Sequence, residues 1–228
     1  MRYADWSFEG PDGLRHTESA LWLGKSGPRL LILPAPFDDG HRLRRLTAEV
    51  MRRLAASGIT CILPDLPGLG ESPFPLDQAS PALWRAAMGE LAQQIGAQAI
   101  FALRGGALAS PEDLTGWHYA PVTGASILRQ LIRVRIIAAR EAGLEEKQDA
   151  LLAEGRERGL ELAGYRLGPA MIAGLESATA PTKDISTIGQ DLVGGPPLWL
   201  RAEPGENPQQ ADALAAILAI ALRESVTP

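Results

Sequence analysis

Residues 99–109, AIFALRGGALA, have the spacing of a sharp strand-to-helix turn of the kind that presents a reacting side chain, with an arginine at its tip. Such a turn needs small residues two before and two after the tip, because the backbones of strand and helix nearly touch there. With Arg104 at the tip the flanks are Ala102 and Gly106, and both fit. A register one residue earlier would make Phe101 a flank, and its ring is too large. The alternative is an ordinary turn with a solvent-facing arginine, which gives no reason for small residues at both flanks. A guanidinium stays protonated and has no free lone pair, so acyl transfer from Arg104 is excluded in this register.

Other residues with chemical potential are scattered. Cys61 lies within a strand pattern and is expected to be a small core residue. Ser72, in GLGES, is expected to stabilise its own loop. His41 is expected to open a helix, and His118, between Trp117 and Tyr119, to be a sheet-edge or core histidine in preference to a base. His118, Glu203 and Glu206 are the remaining weak catalytic candidates. No set of residues has metal-ligand spacing, and no glycine loop of the P-loop or dinucleotide type is present, so neither metal nor cofactor is expected.

The elements that must position Arg104 follow from periodicity. WSFEG and ALWLG, around the turn-rich PDG, suggest an N-terminal hairpin. RLLILPAPF (29–37), ITCILP (59–64) and AQAIFAL (97–103) are continuous apolar runs, as expected of strands buried on both faces. A helix is expected from about His41 to Ala56, with Leu43, Leu46, Val50 and Leu54 on one stripe, and a second begins at the Ser80–Pro81 cap. This alternation implies a mostly parallel sheet flanked by helices. LTGWHYAP (114–121) is expected to be a further strand.

A long helical region over about 124–178 breaks the rhythm and suggests a helical cap inserted at 124–180 of a single domain spanning 1–228. Its helix ILRQLIRVRIIAAR carries apolar residues on more than one stripe, which implies burial between sheet and cap or at a homodimer or partner interface. PPLWLRAE (196–203) is expected to return to the sheet before a closing helix.

The chain has 228 residues, a formal charge of −5 and one cysteine. The acidic balance argues against a nucleic-acid partner, and the single cysteine excludes an internal disulfide. No apolar run follows the first residues as in a signal peptide, and ALAAILAIAL (213–222) is too short to span a bilayer. A cytoplasmic protein is expected.

LPDLPGLGES, LRGGALA and PPLWLRAEPGENPQQADALAAIL resemble the loop after the fourth strand, the elbow and the last strand and helix of the α/β-hydrolase superfamily. More narrowly, WHYAPVTGASILRQLIRVR and ELAGYRLGPAMIAGLE resemble the exosortase A system-associated hydrolases of type 2, which implies a bacterial protein encoded beside exopolysaccharide and protein-sorting machinery. The resemblance implies an α/β-hydrolase fold and a triad in the order serine, acid, histidine, the histidine after the last strand. Here no histidine follows Tyr119, and an arginine holds the serine's place.

The resemblance also places Phe37, Asp38 and Asp39 on the loop that normally supplies the oxyanion hole. Arg104, Gly105 and Gly106 at a helix N-terminus, with that loop, would form an anion site. The anion is expected to be internal, Asp38, Asp39, Glu203 or Glu206, or else a small anionic or acyl ligand. An accessory role without serine hydrolysis is the expectation; hydrolysis of small esters, thioesters or acyl carriers by a non-standard nucleophile is the alternative.

Overall fold

A computed structural model describes residues 1–226. Strands β1 (Arg2–Glu9) and β2 (Arg15–Leu23) form the expected hairpin, and β2 pairs antiparallel with β4 (Thr60–Pro64). From there the pairing is parallel: β4 with β3 (Arg29–Leu33), β3 with β5 (Ala99–Leu103), and β5 with β6 (Gly116–Tyr119). Leu30 to Leu33 and all of β5 are buried because helices cover both faces, which is why these runs do not alternate.

Helix α1 (Phe37–Ala56) packs on one face with α7 (Pro208–Val226), and α2 (Pro81–Ile95) on the other. The cap of α2 forms as its sequence dictates: Ser80 Oγ accepts the Leu83 N–H at 3.1 Å, Pro81 opens the helix, and Gly96 closes it in the left-handed conformation. Helix α1 begins at Phe37, four residues before His41. Pro36 precedes it in extended conformation and Phe37 turns the chain with φ +57°.

Between β6 and the edge of the sheet the chain forms α3 (Gly124–Glu141), α4 (Gln148–Arg158), a two-stranded hairpin and α5 (Pro169–Ser177). The hairpin interrupts the expected helical run: β7 (Leu160–Leu162) and β8 (Tyr165–Leu167) are joined by Ala163 and Gly164, both with positive φ, the requirement of a two-residue type I′ turn. Helix α3 buries one face through Leu128, Leu131 and Ile132 and leaves Val134 and Ile137 exposed.

The expected strand at 196–203 does not form. A single 3-10 turn, Leu198–Leu200, stands there, and the sheet ends instead on β9 (Ile185–Ile188), which pairs parallel with β6. Consecutive prolines at 196 and 197 remove two ladder donors from the segment. The short helix α6 (Gln190–Val193) follows β9.

Candidate functional site

Strand β5 lies in the middle of the seven-stranded sheet, between β3 and β6, and Arg104 leaves it with φ +52°. For a residue with a Cβ that conformation is strained. The close approach falls where the small residues are. A Cβ on Gly106 would lie 2.4 Å from the Pro34 carbonyl oxygen and 2.6 Å from that of Leu33, both backbone atoms. Ala102 is fully buried in β5, opposite Leu33 and His118.

The segment after the turn differs from expectation. It is a six-residue 3-10 helix, Arg104–Ala109, in place of the expected α-helix. A Cβ on Gly105 would meet Ile127 of α3 and the Pro36 ring, so glycine is required there by close packing.

Arg104 is held on three sides. Its Nε donates to Asp39 Oδ2 at 3.1 Å, its Nη1 donates to the Ala120 carbonyl at 2.9 Å, and its Cζ stands 4.2 Å above the Trp199 ring. Those groups come from the first turn of α1, the end of β6 and the turn after α6. Both members of the ion pair are mostly buried, with 14% and 16% of their side chains exposed. Burial pushes the Asp39 carboxyl up, and the Arg104 charge opposes that without overcoming it.

Asp38 faces another way: it accepts the Tyr165 hydroxyl at 3.2 Å and lies 3.6 Å from Arg42. Phe37 packs edge-on against Tyr165, ring centres 5.0 Å apart. Positive φ recurs at Phe37, Arg104 and Ala120, which immediately follow or lie near the ends of β3, β5 and β6.

The remaining candidates lie elsewhere. Glu206 pairs with Arg45 on the outer side of α1, and Glu203 is exposed, so neither reaches Arg104. His118 is a core histidine: Nε2 lies 2.9 Å from Ser110 Oγ, both residues are buried, and burial pushes the imidazole down to about 4. No carboxylate bonds its other nitrogen, and neither residue lines a cavity. Ser72 organises its loop, accepting the Gly68 and Phe74 N–H groups and donating to Glu18 at 2.6 Å. Cys61 is fully buried, its thiol pushed up to about 12. Among the described residues no group of His, Cys, Asp or Glu is arranged to hold a metal, and no helix is long and apolar enough to cross a membrane.

Trp199 and the Ala120 carbonyl could not be anticipated, since both reach Arg104 only through tertiary folding. Tyr165 carried a faint signal, the alternation LEL-AG-YRL, which marks a hairpin able to bring it over the β3 loop.

A mostly parallel sheet crossed at its centre by a positive-φ turn, with helices on both faces and an excursion after β6, decides the architecture. The fold is that of the α/β-hydrolases. A thermophilic esterase from Thermogutta terrifontis aligns over 100% of both chains at 13% identity with a TM-score of 0.56. A hydrolase from Agrobacterium vitis S4, described as putative, aligns over 100% of both chains at 15% identity, also with a TM-score of 0.56. With an epoxide hydrolase from Vigna radiata the match spans 53% of this chain and 40% of that one, at 15% identity and a TM-score of 0.39. No family model matches the sequence, and no curated protein is significantly similar to it.

Proposed function

We propose that this α/β-hydrolase-fold protein does not act by serine hydrolysis and works by binding, as a cytoplasmic accessory protein. The observation that carries this is Arg104: it leaves β5 in a strained turn, the place the resemblance gives to the fold's nucleophile, and its charge is taken up by Asp39, Ala120 and Trp199. A paired, protonated guanidinium neither attacks a carbonyl nor takes a proton. No histidine follows Tyr119 to act as base, and His118 is enclosed with Ser110. The internal ion pair supports a closed centre over one that takes an external anion or acyl group. A link to bacterial exopolysaccharide and sorting systems rests on the resemblance of the 117–135 and 161–176 segments.

Turnover of a panel of p-nitrophenyl esters and thioesters by the purified protein tests this reading, together with labelling by a fluorophosphonate probe. Neither signal should exceed that of a heat-denatured control. Ester turnover, or stoichiometric labelling of any serine, overturns it in favour of a hydrolase with a non-standard nucleophile.

A further inference from the structure

A cavity of about 300 Å³ lies on the other side of the start of α1 from Arg104, at the lower end of small-molecule pockets. Its walls come from β2, the ends of β3 and β4, the Asp65–Glu71 loop, α1 and Tyr165 of the β7–β8 hairpin. Helix α1 separates the two regions by its periodicity. Asp39 and Arg42 turn toward Arg104, whereas Gly40, Leu43, Arg44, Thr47 and Ala48 line the cavity.

The lining has two characters. Leu21, Leu43, Leu63, Leu66 and Phe37 give an apolar body, and the carboxylates Glu18, Asp65 and Glu71 give an acidic end. Glu18 is an acid on the inward face of β2 and is only 3% exposed. Ser72 holds one of its oxygens, and Asp65 lies close enough for the two negative charges to repel. Asp65 in turn accepts the Glu71 N–H at 3.1 Å and has Arg44 as its nearby cation. Three carboxylates thus face one arginine and the His41 imidazole. Burial leaves both Glu18 and Asp65 short of compensation, and a cation placed among them would supply it. A bare divalent ion does not suit, because these carboxylates do not converge into a metal-holding group. The apolar wall asks for a cation that carries a hydrophobic body.

From the cavity's shape and its two-ended lining we infer that it binds a small organic cation, an ammonium or guanidinium compound with an apolar or aromatic body. The cation would sit among Glu18, Asp65 and Glu71, and the body would lie along Leu43, Leu63 and Phe37 beneath Tyr165. This site does not depend on the state of Arg104, so ester assays and binding assays can fail separately.

The probe is 2-phenylethylammonium, titrated into the full-length protein by calorimetry and followed by amide NMR, with 2-phenylethanol and 3-phenylpropanoate as neutral and anionic counterparts. The ammonium should saturate, bind at least roughly tenfold tighter than the alcohol, and shift amides of Leu43, Thr47 and Ala48; the propanoate should not bind. Glu18→Gln keeps an acceptor for Ser72 and should weaken the ammonium by roughly tenfold or more, and Ala48→Phe should fill the cavity and abolish binding. Equal binding of alcohol and ammonium, shifts confined to other parts of the protein, or no saturation overturns the inference. If a variant fails to fold, the wild-type comparison of the three probes and its shift map still decide.

Discussion

The two sides of the first turns of α1 use similar side chains to opposite ends. On the elbow side a carboxylate and an arginine meet at 3.1 Å, an indole covers the cation, and a backbone carbonyl accepts from its Nη1. On the cavity side carboxylates outnumber cations, and Arg44 is exposed and makes no side-chain hydrogen bond or ion pair within 4 Å among the described residues. The elbow side has its counter-charges within the chain, and its arginine joins three segments. The cavity side leaves charge uncompensated around open volume. Burial pushes carboxyls up on both sides, so the contrast lies in whether the protein itself supplies the partner.

Exchanging the two arginines for alanine is the strongest way to break this comparison. Arg104→Ala leaves Asp39 only Arg42, 3.9 Å away, and frees the Ala120 carbonyl, and should cost about 3 kcal/mol, the low end of what removing one member of a buried pair costs. Arg44→Ala should change stability by less than about 0.5 kcal/mol. Denaturant midpoints of both variants measure this, and Arg104→Met with Asp39→Asn should recover more than half of the loss. Equal midpoints for the two single variants would make Arg104 a surface residue.

Acid should act on the core histidine and on the buried carboxyls with opposite signs. His118 has its folded value pushed down from 6.5 to about 4, so the unfolded chain takes up the proton first. Its contribution is complete above about 6.5 and is lost as pH falls toward 4, a loss of about 3 kcal/mol. Glu18 and Asp65 are raised, so their contribution is present below the usual carboxyl range and lost as pH rises through their folded values. Stability measured from pH 7 to 4 should therefore fall, and His118→Gln should flatten the fall while Glu18→Gln leaves its His118 part in place.

Gly106→Ala should cost about 1–3 kcal/mol, because the new methyl meets the backbone of Pro34 and Leu33, which cannot move aside as a side chain could. Gly143→Ala has no neighbour to meet, though its φ of +77° still strains the variant, and it should cost less. Thermal melts compare them. Trp199→Leu should cost about 1 kcal/mol through the lost cation–π contact, in addition to the lost edge-on packing of the indole against Tyr119, and should leave binding in the cavity unchanged.

Most of what places Arg104 was legible in the sequence. Strands buried on both faces write themselves as apolar runs, and the elbow register followed from Ala102 and Gly106 alone. What was not legible depended on balance between weak local signals and tertiary context. GGALA has the length of a helical turn, but two glycines weaken an α-helix and a 3-10 segment formed. ISTI is four residues with its middle pair exposed, too little pattern to mark β9, whereas PPLWLRAE looked apolar enough for a strand that its prolines prevent. For the site, the partner Asp39 was among the candidates, but Asp38, one residue away, points to Tyr165. That choice is made by the turn of α1, which sequence spacing cannot resolve between neighbours.

Installing a working serine at position 104 would take more than one substitution. Arg104→Ser would leave Asp39 with only the more distant Arg42, 3.9 Å away, and keep the Trp199 indole over the new hydroxyl. A base to activate it would have to hang from a strand end beyond β9, and the chain there is the Leu198–Leu200 turn, with no ladder to fix an imidazole's direction. Strand, base and serine would all have to arrive together, since each alone lowers stability and adds no rate. On such terrain a stepwise walk to hydrolysis descends at every first step, and directed evolution from this chain should sooner refine the cavity beside α1 than open the elbow.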